Sequence, residues 1–116
     1  MTTNGRTYLI VHPQAVVAMD LAMAIRDFEP AASVVVGTGE AEALERLGTP
    51  ERIAVAFVDR EPRAYANSEL ARLVRERGGR AVLLGDDAER GPDLGFPVLT
   101  RPFTAEQVAE VLAAIG

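Results

Sequence analysis

The segment Ile53-Ala54-Val55-Ala56-Phe57-Val58-Asp59 decides the fold of this chain. Six apolar residues precede a single carboxylate, and a short continuous apolar run is typical of a strand that is buried on both faces. Strands of this kind belong to parallel sheets whose faces are covered by helices. The segment therefore predicts the third strand of an α/β domain, with Asp59 at its carboxyl end.

Two further β-α units follow this strand. The sequence predicts a helix over 68–77 that ends at two glycines, a fourth strand over 81–84, a fifth strand over 97–100 and a final helix. Thr104 and Gln107 have the spacing of a capping box at the start of that last helix. Apolar residues at helical spacing predict the inward faces of both helices: Leu70, Leu73, Val74, Val108, Val111, Leu112 and Ile115.

Two units of the same kind precede the segment. They comprise strands over 8–11 and 33–36 and helices over 15–28 and 40–47, with Gly48 closing the second helix. In the first helix, apolar residues recur at i, i+3 and i+7 and predict its inward face, with charged residues available to a polar face: Val16, Met19 and Met23 inward, and Asp20, Arg26 and Asp27 outward.

Five such units predict a parallel sheet with right-handed crossovers and helices on both faces. Ligand chemistry in sheets of this type belongs at the carboxyl ends of the strands. Only residues 86–96 connect the fourth and fifth strands. A normal helix with two loops needs roughly 18 to 22 residues, so the helix between these strands is predicted to be short or absent.

Composition limits the class of protein. The 116 residues are 48% hydrophobic and 25% charged, which predicts one globular domain over 1–116. No apolar run approaches the ~20 residues that span a bilayer, and cysteine and an export signal are both absent, so we expect a soluble, cytoplasmic protein without membrane contact. The net charge of −5 without a basic block argues against nucleic acid and favours a protein partner.

The absence of lysine narrows the chemistry further. All 12 basic residues are arginine, which excludes a lysine Schiff base and the usual phosphate-binding loop. Gly37-Thr38-Gly39 lies between a strand and a helix, but Glu42 occupies the position where a dinucleotide fingerprint needs glycine, so we interpret it as a turn. With no nucleophile and base in an evident pair, we expect no enzyme.

The residues at the predicted strand ends resemble the receiver domain of bacterial two-component response regulators. The likeness extends over nearly the whole chain and implies a flavodoxin-like strand order 2-1-3-4-5, with Asp59 as acceptor of a phosphoryl group from a histidine kinase. It rests on the order of these segments: Leu9-Ile10-Val11, Gly39-Glu40-Ala41-Glu42-Ala43-Leu44, Phe57-Val58-Asp59 with Pro62, and Arg101-Pro102-Phe103.

Most partners of Asp59 in that family are replaced in this chain. His12 and Pro13 occupy the places of two acidic residues that help to hold Mg²⁺. Proline has no ligand and a neutral imidazole is a poor substitute for oxygen donors, so we expect no metal cofactor or weak Mg²⁺ binding at most. Gly85 replaces the serine or threonine that bonds the phosphoryl group, and Val98 replaces an aromatic switch residue.

Two features could compensate for these losses. Arg101 replaces the family's lysine, keeps its charge and could clamp an anion or pair with Asp59. Asp86 and Asp87 could supply carboxylates to a cation, although adjacent acids in a loop are commonly just solvated. His12 is expected to be a partly exposed loop histidine.

The resemblance and these replacements together predict a stand-alone, receiver-like signalling domain. We expect it to act mainly as a protein-interaction module, with phosphorylation of Asp59 impaired or absent, and to bind a signalling protein such as a histidine kinase or a downstream regulator. A homodimer is a further option. The alternatives are a functional phospho-accepting regulator that uses Asp59 and, from another class, a small enzyme or nucleotide-binding protein.

Overall fold

The computed structural model describes residues 6–48, 52–101 and 103–115, in which strands and helices alternate. The strands are β1 (Thr7–Val11), β2 (Ser33–Gly37), β3 (Val55–Asp59), β4 (Arg80–Leu84) and β5 (Val98–Leu99). The helices are α1 (Ala15–Phe28), α2 (Glu40–Leu47), α3 (Pro62–Ala66), α4 (Glu69–Glu76), α5 (Asp86–Arg90) and α6 (Ala105–Ile115).

The strands form one parallel sheet in the order β2-β1-β3-β4-β5. This confirms the predicted parallel sheet and its strand order 2-1-3-4-5. β1 and β3 are neighbours, with Val11 opposite Val58, and β3 lies beside β4, with Asp59 opposite Leu84. The carboxyl ends of β1, β3 and β4 therefore meet at one edge of the sheet.

Alternate residues of each inner strand contribute to two apolar cores, one on each face of the sheet. Along β1, Tyr8 and Ile10 pack with α1 and α6, whereas Leu9 and Val11 pack with residues of α2, α3 and α4. Burial on both faces explains why the inner strands are continuous apolar runs rather than alternating ones. The helices on both faces are as predicted.

The inward face of α1 was predicted wrongly. Val16 is 71% exposed, and Met19 and Met23 are each 63% exposed. The sequence of α1 has a second set of apolar residues at helical spacing, on a different face of the helix. This set includes small alanines, which let the helix lie close to the sheet and to α6. That second face is the buried one, with Ala18, Leu21, Ala22, Ala24 and Ile25.

Predicted helix ends agree with the observed caps. Gly48 ends α2 with a φ of 73°, in the left-handed region that glycine adopts without steric cost. The Ser68 hydroxyl accepts a hydrogen bond of 3.0 Å from the Ala71 N–H at the start of α4. The Thr104 hydroxyl accepts one of 3.1 Å from the Gln107 N–H, as the capping box requires.

Helix α3 was not predicted, although its signals are present in the sequence. Pro62 is its first residue, and the Glu61 carboxylate accepts hydrogen bonds from the next free N–H groups.

β5 comprises two of the residues predicted over 97–100. α5 is a single turn of five residues, which confirms that the crossover between β4 and β5 lacks a full helix. Within the described residues, no helix combines the length and apolar character needed to cross a membrane.

Candidate functional site

Three of the predicted site positions meet at the carboxyl edge of the sheet. His12 follows β1, Asp59 ends β3 and Gly85 follows β4, and these strands are neighbours. The His12 Nε2 atom lies 3.2 Å from Asp59 Oδ2. Gly85 is so close to Asp59 that it has no room for a side chain beside the carboxylate. The sequence placed these residues at one edge, and the structure brings them into contact.

His12 is buried, not partly exposed as the sequence suggested. The residue is 6% exposed, because its N–H donates to the Gly37 carbonyl at 3.1 Å and the chain continues as an extension of β1. The exposed turn begins at Pro13 instead. The Gln14 N–H donates to His12 Nδ1 at 3.0 Å, so this nitrogen is an acceptor. Nε2, the other ring nitrogen, is the one that faces Asp59.

The backbone at Gly85 holds space for the Asp59 carboxylate. Its φ is 99°, in the region that favours glycine. A Cβ at this position would lie only 2.9 Å from Asp59 Cγ and closer still to Oδ1. The carboxylate thus occupies the place where a serine or threonine would begin its side chain. With Asp59 in this position, residue 85 can offer only main-chain groups.

The electrostatic surroundings of Asp59 are unfavourable to its charge. Burial raises the pKa of Asp59, His12 opposes that rise, and Asp87 and Asp86 add to it. Arg101 lowers the pKa as well, but it is the last of these influences. Of the two groups that lower the pKa of Asp59, His12 therefore contributes more than Arg101.

Arg101 pairs with α5 instead of Asp59. Its guanidinium contacts Asp86 Oδ1, and its Nε lies 3.3 Å from Glu89 Oε2. The Arg101 N–H also donates to Glu89, at 3.4 Å. Asp86 and Glu89 are three residues apart on a helical turn, which places both carboxylates on one side of α5. The positive charge that follows β5 is thus largely neutralised by α5.

Sequence reasoning missed two acidic partners at this edge. Glu89 was not among the predicted site residues, although its spacing from Asp86 is the helical signal that identifies it. Glu40, at the start of α2, contacts Arg60. The remaining predicted positions are peripheral: Pro13 is exposed, and Val98 packs against the core on the α4 side of the sheet. Pro102 lies outside the described residues.

Comparisons with known proteins agree with this architecture. No protein-family model matches the sequence, and no curated protein matches it. Among solved structures, a response regulator from Thermotoga maritima matches with a TM-score of 0.64 at 18% identity, covering 96% of this chain and 97% of its own. SdrG from Sphingomonas melonis Fr1 matches with a TM-score of 0.70 at 24% identity, covering 99% and 98%.

The chain has the receiver fold. Both matches extend over nearly the whole length of both proteins, so the likeness concerns the complete arrangement of strands and helices and not one shared motif. At these identities it establishes the fold alone. The chemistry at the Asp59 edge of the sheet depends on the residues that this chain has there.

The side chains around Asp59 offer few of the ligands that Mg²⁺ prefers. A magnesium ion takes hard oxygen ligands in near-ideal octahedral geometry. Here His12, the residue after β1, places an imidazole ring beside Asp59. Pro13 has no side-chain atom that can bind a metal ion, and Asp86 is paired with Arg101. Across the described ranges, no group of three acidic, histidine or cysteine side chains is arranged to hold a metal. Among the residues that the structure describes, only Asp87 adds an unengaged carboxylate near Asp59.

Proposed function

We propose that this chain is a receiver-like signalling domain that works mainly by binding protein partners, with phosphorylation of Asp59 impaired or absent. The observation that carries the proposal is the state of Asp59. Its Oδ2 lies 3.2 Å from His12 Nε2, and its carboxylate fills the space beside Gly85. The nucleophile is therefore held by the protein's own groups.

Phosphoryl transfer to a carboxylate needs positive charge near the nucleophile, and the residues around Asp59 are poorly arranged to supply it. An anionic nucleophile must approach an anionic phosphoryl group, and positioned cations normally neutralise the charge that gathers there. Arg101 is engaged by two carboxylates, and Asp86 and Asp87 increase the negative potential around Asp59. Both arrangements disfavour an incoming phosphoryl group.

The exposed face of α1 supports a role in protein interaction. Val16, Met19 and Met23 lie along one side of the helix, and each is more than half exposed. Clusters of exposed apolar side chains are characteristic of interaction sites, and methionine adapts to different partner surfaces. We propose that this stripe, hereafter the α1 stripe, contacts a signalling protein such as a histidine kinase or a downstream regulator, with a second copy of the chain as the other option.

Incubation with acetyl phosphate and Mg²⁺ tests the phosphorylation part of the proposal. We expect intact-mass spectrometry to show no phosphoryl adduct on the wild-type chain, because Asp59 is engaged and poorly compensated. A true receiver from the same expression host serves as the positive control. An adduct that forms readily on the wild type and is lost in Asp59→Asn would favour the alternative, a functional phospho-accepting regulator.

Charge substitutions in the α1 stripe test the interaction part. The double variant Met19→Glu, Met23→Glu should capture its signalling partner from native cell extract at least about tenfold less efficiently than wild type. Because both residues are exposed, the melting temperature should change by no more than about 1 °C. Leu94→Glu, a similar change at an exposed apolar residue outside α1, is the matched control. Unchanged capture by the double variant would remove the α1 stripe from the proposal.

A further inference from the structure

A cavity of about 330 Å³ opens at the other end of the sheet from the receiver site. It lies between α4, the start of β4 and the loop over 91–97. Arg80, at its edge, pairs in the sheet with Val55, whereas Asp59 pairs with Leu84 four residues further along β4. Because α5 is a single turn, the loop over 91–97 follows it, and Gly95, Phe96 and Pro97 of this loop line the cavity together with Tyr65 and Ala66 of α3.

The walls of the cavity are aromatic and apolar. Phe96 meets the ring of Tyr65 edge to face, with the centroids 5.3 Å apart and the ring planes at 85°. Ala71, Val74 and Ala81 complete the lining, and their small side chains leave the space unfilled. A volume of 330 Å³ is within the range of about 300 to 1,000 Å³ that small-molecule sites have.

Tyr65 brings an unused polar group to this cavity. The residue is 2% exposed, yet its hydroxyl forms no hydrogen bond with any residue in the described parts of the chain. Burial raises the pKa of Tyr65 to about 12, so the hydroxyl remains a neutral donor at physiological pH. This unbonded hydroxyl is therefore available as a hydrogen-bond donor to a ligand in the cavity.

The mouth of the cavity is positively charged in an acidic chain. Arg75 and Arg80 line it, both are exposed, and neither forms an ion pair with a described residue. Over residues 69–80 there are four arginines and two glutamates, a local charge of +2 (4 − 2) in a chain whose net charge is −5. Such a mouth favours an anion over a neutral or cationic ligand.

We propose that this cavity binds a small organic acid with an aromatic or branched apolar body. The apolar body lies against Phe96 and Val74, the carboxylate is held by Arg75 and Arg80, and the Tyr65 hydroxyl donates a hydrogen bond to the ligand. Each part answers one observation: the apolar walls, the two unpaired guanidinium groups and the unused donor. The site is separate from the Asp59 edge, so it does not depend on whether Asp59 is phosphorylated.

Titration with phenylacetate, followed by two-dimensional amide NMR, tests the proposal on the full chain. We expect saturable shifts of the amides of Tyr65, Gly79 and Gly95, with a Kd in the millimolar range suited to so small a ligand. Phenylacetamide, which has the same shape without the charge, should bind at least about tenfold more weakly. Absence of saturable shifts up to about 20 mM, or equal binding of the two compounds, overturns the proposal.

Single substitutions separate the contributions. Arg75→Gln should weaken phenylacetate binding by about tenfold, while Arg72→Gln, on the same helix but outside the cavity, should leave it unchanged. Tyr65→Phe should weaken binding several-fold without lowering the melting temperature, since the hydroxyl has no partner to lose. Equal effects of the two arginine substitutions would overturn the assignment. So would shifts of the same amides that depend on protein concentration alone, because a second copy of the chain would then occupy the cavity.

Discussion

Replacing Gly85 with alanine should lower the free energy of unfolding by about 2 to 4 kcal/mol. Two causes add. A residue with a Cβ is strained at a φ of 99° and a ψ of 167°, at a cost of about 1 to 3 kcal/mol. The new Cβ would also lie 2.9 Å from Asp59 Cγ, so the carboxylate must leave its place and its contact with His12. Urea unfolding monitored by circular dichroism measures the loss.

Two comparisons isolate the clash with Asp59 from the backbone strain. Gly95 has a φ of 92° and nothing within 4 Å of the position its Cβ would take, so Gly95→Ala measures the cost of a side chain at positive φ without a clash. In an Asp59→Ala background, Gly85→Ala should cost no more than that strain, because the carboxylate is gone. If Gly85→Ala costs the same in both backgrounds, Asp59 does not pack against this glycine, and the account of the site is wrong.

The contact between Gly85 and the Asp59 carboxylate limits which residues can occupy position 85. In the family that the sequence resembles, position 85 carries a hydroxyl that bonds the phosphoryl group. In this chain a hydroxyl at position 85 cannot simply be added, because the Asp59 carboxylate already occupies the space. The glycine and the position of the carboxylate therefore depend on each other. The function of this chain therefore depends on the residues that are present around Asp59, and not only on which residues of the family's site are absent.

The fold could be predicted because its signals are local. Apolar runs ended by His12, Asp59 and Gly85 mark strands without reference to the rest of the molecule, and Gly48 ends α2 by its own conformational freedom. The short crossover followed from counting residues 86–96. These features depend on chain length and backbone preference, which the sequence states directly.

The packing of α1 could not be predicted in the same way. Two apolar patterns compete on that helix, and periodicity alone favours neither. Which one is buried depends on how closely the helix approaches the sheet and α6, a tertiary distance that small residues such as Ala18 and Ala22 permit. The larger Met19 and Met23 were therefore taken for core residues although they are exposed.

The contacts of the site were also beyond the sequence, for a related reason. The pairing of Arg101 depends on α5 forming a turn that presents Asp86 and Glu89 together. The burial of His12 depends on one backbone hydrogen bond to Gly37 beyond the end of β1. Residue types and strand ends identify which groups are near one another, but hydrogen bonds decide which of them pair.

Replacing His12 with aspartate should make the stability of the chain depend on Mg²⁺. Without the ion, a second carboxylate at a buried position beside Asp59 should lower the free energy of unfolding by about 3 kcal/mol, since two like charges would share a poorly solvated site. With the ion, two carboxylates supply the hard oxygen donors that Mg²⁺ prefers. Binding to the folded chain alone then recovers about 2.7 kcal/mol when Mg²⁺ is 100-fold above its Kd.

Thermal unfolding with and without about 10 mM Mg²⁺ measures this dependence. The wild-type melting temperature should change by less than about 1 °C, because an imidazole lies where Mg²⁺ needs an oxygen ligand. His12→Asn, which is neutral and similar in size to aspartate, should lose stability without any response to Mg²⁺. If the wild type gains as much from Mg²⁺ as His12→Asp does, then His12 does not block the metal. Asp59 would then retain the cation that phosphorylation requires. Binding to a protein partner would no longer be the better proposal for the function of this domain.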